Sequence, residues 1–371
     1  MSASKPMTFL CLECVLQNMD ANLRFRIIQR CPKIRSIEKR VPLHIKSLDL
    51  SEYHFYVNDT SYRLGIIQEY PDELMVPDAV KIWNNRGGVQ EDLNEYGTKI
   101  YSVPPELAPG DIEIKKGHPK RNAVVSPVLA DGEQPTLRLS AQLTVSGYQL
   151  RGFYRGSLTT LPRIMKSIYK FFFGNRKHPI TIGTLFVGRV NSDAVLRLPE
   201  NLKIKISNLV FTKKSRKVWR ALTPIIYESS FPLQHVESDF MCWNPQTTTA
   251  RSLKITVERS RYAPTREYFL NLECEKLQVV NPLWGAHLTV VDFTALIEQW
   301  LETGREEGTC YEVEMKIADL DILKEIINVL DGEYKDRKGK IPMNDFGLEL
   351  HLGFRIGAKI IFKMEVIQRN L

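Results

Sequence analysis

Six cysteines and seven histidines are the side chains of this 371-residue chain best suited to metal or nucleophile chemistry. Cys11-x-x-Cys14, with Cys31 and His44, outlines a four-ligand zinc set. Such a set wants a second closely spaced pair, which is missing, and the apolar spacing places Cys14 on the inner side of a helix, where a thiol serves as a small core residue. The histidines, His44, His54, His118, His178, His235, His287 and His351, contain no pair four apart with an intervening glutamate. Asp92-Leu-Asn-Glu-Tyr-Gly97 has the opening of a calcium loop, but Val103 stands where the closing glutamate belongs. No glycine-rich turn ends in Lys-Ser/Thr, and nucleophile elbows, kinase loops and dinucleotide fingerprints are missing too. The residues therefore point away from catalysis, with no metal and no cofactor expected.

Charge is more informative than nucleophiles. Between Arg151 and Arg220 stand sixteen Lys or Arg residues against the two acids Asp193 and Glu200, a net of +14, so the rest of the chain carries −6 of the total +8. A basic middle of this kind suits an anionic partner such as nucleic acid. The tract from Asp292 to Leu350, with fifteen acids and seven basic residues, offers internal neutralisation instead, and that is the preferred reading. Lys213-Lys214-Ser-Arg216-Lys217 is the densest basic patch, a nuclear-localisation-like string or a solvated turn. Tyr169 with Phe171-Phe172-Phe173 beside basic residues has the composition of a nucleic-acid surface, but a run of Phe closing an amphipathic helix reads better as core.

The elements that must carry these residues follow from composition and period. With 43% hydrophobic and 25% charged residues the chain is of globular composition. Sparse cysteines without framework spacing imply a reducing compartment, the short run Met7 to Leu16 is interrupted by Glu13 and lacks a cleavage site, and no stretch reaches the ~18 apolar residues of a membrane helix. A cytoplasmic location is expected, nuclear if the basic patch is read as a signal, without membrane association. Asn58-Asp-Thr60 is read as a chance glycosylation triplet.

Phe9, Leu12, Val15, Leu16 and Met19 form a helical stripe; Leu23 to Cys31 is a second helix capped by Asp20 or Asn22, and Ile34 to Arg40 a third. Such short helices must bury their apolar face on the following domain or on a partner. Strand periods follow at 43–50, 53–57 and 62–67, with Asn58-Asp59 as the turn. Glycines and prolines break up 84–135, a loop-rich joint. Leu137 to Leu150 is strand-like, and Leu158 to Phe173 a helix with Ile164, Ile168 and Phe172 inward and Arg163, Lys166 and Lys170 outward.

In the last third, strands at 253–257, 277–280, 287–291, 311–317, 346–352 and 359–367 alternate with helices at 292–303, N-capped by Asp292 and ended by Gly304, and 319–330. The expectation is an α+β protein: short N-terminal helices (1–42), a β-rich region (43–240) and an α/β C-terminal region (241–371), the last with a leucine-rich-repeat-like curved sheet as one reading although no fixed period appears.

Several strings stand in a collinear order that resembles a nematode-expanded family of F-box C-related, F-box-associated proteins. They are Leu12-Glu-Cys-Val-Leu16 with Asn22-Leu-Arg-Phe25 and Arg30-Cys-Pro32, Val41-Pro-Leu43, Tyr62-Arg-Leu-Gly-Ile66, Gly87-Gly-Val89 through Tyr96-Gly97, and Pro109-Gly-Asp-Ile112. Leu196-Arg-Leu-Pro-Glu200, Leu296-Ile-Glu-Gln-Trp300 and Gly308-Thr-Cys310 continue the series. The resemblance implies a degenerate F-box-like helical unit that docks on a cullin adaptor and a remainder that captures a substrate for ubiquitination. The Leu-Pro opening and the later Val-x-x-x-Trp portion of an F-box are not recognisable. If the helices dock, Leu12, Val15, Leu16, Leu23 and Ile27 are the expected apolar anchors; packing of the same stripe on residues 43–70 is the equal alternative. The expected function is thus a non-catalytic, protein-binding adaptor with two protein partners, the cullin adaptor and a substrate. Polyanion or nucleic-acid binding through 151–220, centred on Lys213, Lys214, Arg216 and Lys217, is the alternative.

Overall fold

The structure is a computed structural model that describes residues 8–100, 107–114, 135–146, 148–153, 160–187, 195–211, 215–239, 245–257, 266–280, 289–315, 322–330, 332–336, 338–343, 347–356 and 360–369. Helices and strands are both abundant, and the protein is α+β. The chain divides into two compact units, one of residues 1–206 and 217–227, the other of 207–216 and 228–371. The N-terminal helices thus share a unit with the strands after them, the joint expected at 84–135 lies inside the first unit, and the boundary expected at 240/241 lies inside the second.

The first unit opens with α1 (Phe9–Gln17), α2 (Ala21–Arg30) and α3 (Arg35–Arg40). Asp20 is the cap of α2, its Oδ1 accepting from Asn22 N at 2.8 Å. The strands β1 (His44–Leu50), β2 (His54–Val57) and β3 (Thr60–Glu69) follow as the antiparallel set the alternation predicts. Asn58 takes the left-handed conformation (φ 52°) in the β2–β3 turn. Its Oδ1 accepts from Lys46 and Ser47 amides and its Nδ2 donates to Asp20, which fastens the turn to the start of α2. Asn22 then joins α2 to both flanking strands, donating to Val57 O and accepting from Tyr62 OH.

Beyond α4 (Asp78–Asn85) and β4 (Ile112–Glu113) come β5 (Arg138–Val145), β6 (Tyr148–Phe153), α5 (Leu161–Phe173), β7 (Ile180–Val187) and β8 (Val195–Leu196). The sheet order is β7-β1-β2-β3-β5-β6, with β1 and β7 parallel, and β4 and β8 form a separate pair. Helix α5 buries Leu161, Met165, Tyr169, Phe172 and Phe173, whereas Ile164 and Ile168, expected inward, are half-buried flanks. The stripe is rotated because an aromatic cluster claims it. Phe55 stacks on Tyr62 at 4.6 Å, Phe25 meets Phe172 at 4.6 Å, and Tyr169 adds a hydrogen bond to Ser51 O. The three-Phe run is therefore core at Phe172 and Phe173, with Phe171 half-buried.

A second close approach sits at the other edge of β3. Ile66 and Val89 exchange both backbone hydrogen bonds, at 2.8 and 2.9 Å, and a side chain on Gly65 would run into the Gly87 carbonyl oxygen. Two of the resemblance strings thus meet backbone to backbone. Gly65→Ala should lower stability by roughly 1–3 kcal/mol, because backbone, unlike a flexible side-chain end, cannot yield; a urea midpoint unchanged from wild type would contradict the contact.

The strand β9 (Ile204–Phe211) and helix α6 (Ser215–Leu222) each contribute residues to both units. In the second unit β9, β10 (His235–Asp239), β11 (Ser252–Thr256), β12 (Lys276–Val280) and β13 (Cys310–Met315) are parallel and adjacent in chain order. Their starts at 204, 235, 252, 276 and 310 are unevenly spaced, so neighbouring parallel strands arise without a fixed repeat. Between them lie α7 (Pro245–Thr248), α8 (Arg266–Leu270) and α9 (Val290–Thr303). Helix α9 buries Phe293, Ile297 and Trp300, against Phe362 and Tyr311 at 4.7 Å each.

Thr289, not Asp292, is the N-cap of α9. Asp292 is the reciprocal partner in a capping box; of the strand expected over 287–291, residues 287 and 288 lie outside the described residues, and 289–291 are the cap and first turn of the helix. Gly304 ends it at φ 73° as expected. After α10 (Ile322–Val329), β14 (Glu333–Lys335), β15 (Lys338–Pro342), β16 (Leu348–Ile356) and β17 (Ile360–Gln368) form an antiparallel meander joined to β13 through β17.

Candidate functional site

Helices α1 and α2 carry the residues expected to contact an adaptor, and the structure separates them. Leu16 is 1% exposed and belongs to the core with Phe25 and Ile28, so it anchors the helix to its own unit. Leu12 and Ile27 are half-buried. Val15 and Leu23 are exposed, and so are Phe9 and Leu10 at the start of α1. Cys14, expected on the inner side, is exposed, as are Cys11 and Cys31. Among the described residues no group of His, Cys, Asp or Glu is arranged to hold a metal.

A buried ion cluster lies where α3 meets the end of α5. Glu38 is fully buried, and its Oε1 accepts from Arg24 Nε at 3.1 Å and from Arg176 Nη2 at 2.7 Å. Arg24 spends its remaining donors on the Pro42, Glu38 and Val41 carbonyls, which caps the end of α3. Burial pulls both guanidinium groups below their ordinary value, and Glu38 opposes that pull.

Lys39 Nζ donates to the Phe171 and Phe172 carbonyls at 2.7 and 2.8 Å, satisfying the last turn of α5. Burial, with Arg176 close by, brings Lys39 down from the usual 10.5 to about 7. An unfolded chain holds that proton up to the ordinary value, so between pH 7 and 9 the unfolded state binds more protons, and stability rises with pH. Lys39→Met should remove this rise, read as a flattened dependence of unfolding free energy on pH over that window; an unaltered slope would refute the depressed value.

Lys39 and Arg176 also line a groove of about 860 Å³ formed by 32–40 and 167–177. Arg35, Lys39, Arg40, Lys170, Arg176 and Lys177 line it together with Ser36, Ser167 and Asn175, and among the described residues no acid does. Arg35 lies over the Phe171 ring at 4.3 Å. Nothing in the local sequence announces this groove, since its halves are far apart in the chain; the signal that was legible is the charge of the basic middle, from which Lys170, Arg176 and Lys177 come.

Other cations of that middle are held internally. The Asp111 side chain, 1% exposed, pairs with Lys166 at 2.6 Å and with Arg197 at 2.8 Å. Lys166 also donates to Pro109 O, at 2.6 Å, and to Leu198 O. The Pro109-Gly-Asp-Ile112 and Leu196-Arg-Leu-Pro-Glu200 strings are thereby drawn to one place, with Ile112 opposite Leu196 in the β4–β8 pair. Of the patch expected to bind anions, Lys213 and Lys214 lie outside the described residues, and the backbone of Arg216 and Lys217 belongs to α6.

In the second unit burial disfavours two thiolates. Burial raises the Cys274 thiol to about 11 and also raises Cys310, so neither is a ready thiolate. Ser252 Oγ lies 3.1 Å from His235 Nδ1 across adjoining strands, with the imidazole pulled down by burial, and the Glu237 carboxylate pairs with Lys254 at 3.0 Å. No described helix is long and apolar enough to cross a membrane.

A family model described as a domain of unknown function (DUF3557) matches residues 160–317, from the start of α5 to just past β13. No curated protein and no solved structure matches the chain.

Proposed function

We propose that this chain is a non-catalytic, protein-binding adaptor that acts as a substrate-recognition subunit of a cullin-type ubiquitin ligase in the cytoplasm. The observation that carries the reading is the division of labour on α1 and α2. Leu16, Phe25 and Ile28 root the helices in the core, while Phe9, Leu10, Val15 and Leu23 stay 46%, 71%, 43% and 44% exposed. Apolar side chains held at fixed positions on a rooted helix are what helical docking uses. The resemblance of the strings from Leu12 to Cys310 to F-box-associated proteins supports the same role. Co-purification of the full chain with the cullin adaptor tests it: the wild type should be retained and Val15→Asp with Leu23→Asp lost while far-ultraviolet dichroism is unchanged. A folded wild type that is not retained would sink the reading.

The second reading, polyanion binding, is favoured by the groove to which Lys170, Arg176 and Lys177 contribute and which no acid lines among the described residues. Reversing Arg40 and Lys177 to glutamate should abolish any steep salt dependence of binding.

A further inference from the structure

We propose that the groove between α3 and the end of α5 is a binding site for the phosphate groups of a small, multiply phosphorylated ligand. The inference does not depend on the adaptor reading, and it narrows the polyanion reading to one ligand class.

Charge is the first argument. Among the described residues, six lysine or arginine side chains and no acid line the groove. The nearby carboxylate, Glu38, is fully buried and already shared between Arg24 and Arg176. No described acid lining the groove offsets the mutual repulsion of these side chains, and a multiply charged anion relieves it.

Preorganisation is the second. Arg176 has a side chain only 3% exposed, is held by Glu38 and Phe172 O, and keeps Nη1 without a hydrogen-bond partner. Arg35 is fixed over Phe171, and its buried Nε has no partner either. Lys39 is pinned to the α5 carbonyls, and the Lys177 amide donates to Lys39 O at 3.0 Å, so the two halves of the groove are stitched together. Arg40, Lys170 and Lys177 are exposed and free to close over a ligand from the rim. A fixed cationic floor and a movable cationic rim match phosphate, whose oxygens accept from several donors at once.

Size and surroundings set the class. About 860 Å³ is the scale of a small-molecule site. The aromatic ring in the lining, Phe171, is engaged by Arg35 and offers no open platform for base stacking. Six cations gathered at one spot suit clustered phosphates better than a strand that spaces its charges out.

Titration calorimetry of the full chain with inorganic tripolyphosphate at low salt tests the site, beside ATP and a single-stranded RNA of ten nucleotides. Tripolyphosphate should bind, and Arg40→Glu with Lys177→Glu, both at the exposed rim, should weaken it at least about tenfold without changing the melting temperature. ATP bound like tripolyphosphate would identify the phosphate chain alone as the determinant, and ATP bound more tightly would place a nucleotide there; both outcomes support the site. No binding of tripolyphosphate, or binding indifferent to the two reversals, would overturn it. RNA bound more tightly than tripolyphosphate, with the same dependence on Arg40 and Lys177, would also overturn it and leave the broader polyanion reading standing.

Discussion

Glu38→Gln is expected to cost the first unit roughly 3–5 kcal/mol, the size seen when one member of a buried ion cluster is removed and its partners stay charged. The substitution keeps the volume and an acceptor oxygen, so the loss reports charge and not a cavity. Arg24 and Arg176 would be left facing each other with side chains 1% and 3% exposed and no countercharge between them. Local consequences follow from what the two arginines hold: the α3 carbonyl end through Arg24 and the end of α5 through Arg176. Amide exchange in α3 and the last turn of α5 should accelerate with the fall in the urea midpoint. Replacing all three members by apolar residues of similar volume should recover part of the loss. A midpoint shift worth less than about 1 kcal/mol would mean that Glu38 is not the charge on which the two arginines depend.

Asp111→Asn is the second large effect, at roughly 3 kcal/mol. Its carboxylate meets Lys166 and Arg197 in a setting where Asp111 and Arg197 are almost wholly buried. Lys166 retains the Pro109 and Leu198 carbonyls, which is why the cost is set at the low end for a broken buried pair. The β4–β8 pair is only two residues long on each side, so it cannot hold the 107–114 segment by backbone bonds alone. Proteolysis in that segment should therefore become faster in the variant at temperatures where the wild type resists. Equal cleavage rates would show that the ion cluster is not its clamp.

How far these features were legible depends on the range of the interaction. Asn58 announced its turn and Gly304 its helix end, because a left-handed residue or a cap is a local demand. The stripe Phe293, Ile297 and Trp300 announced α9 for the same reason. Asp292 was read as the cap because both cap positions favour the same short polar side chains; only the bond between Thr289 and Asp292 settles which is which. Glu38 and Arg176 are 138 residues apart and Asp111 and Arg197 86, and no periodicity reports a pairing across such spans. Parallel pairing of β1 with β7 was hidden likewise. On α5 the period marks Phe172 as buried, as it is, but Ile164 and Ile168 where Met165 and Tyr169 are buried, because all are apolar enough and the choice is made by the aromatic cluster on the sheet. Net charge pointed to the basic middle, but neither its partial consumption by Asp111 and Glu38 nor its convergence on the 32–40 helices can be counted from composition.

The exposed positions of α1 and α2 decide the function proposed here. Leu16, the obvious residue of the stripe, is buried, so its substitution would confound docking with folding; Val15 and Leu23 are the informative pair. The direct measurement is the equilibrium affinity of the full chain for the purified cullin adaptor, wild type against Val15→Asp with Leu23→Asp, at low and high salt. The account predicts binding that is largely insensitive to salt and weakened at least about a hundredfold in a variant with an unchanged melting temperature, as loss of apolar anchors requires. Absence of binding by the folded wild type, or equal affinity of the two proteins, would contradict it.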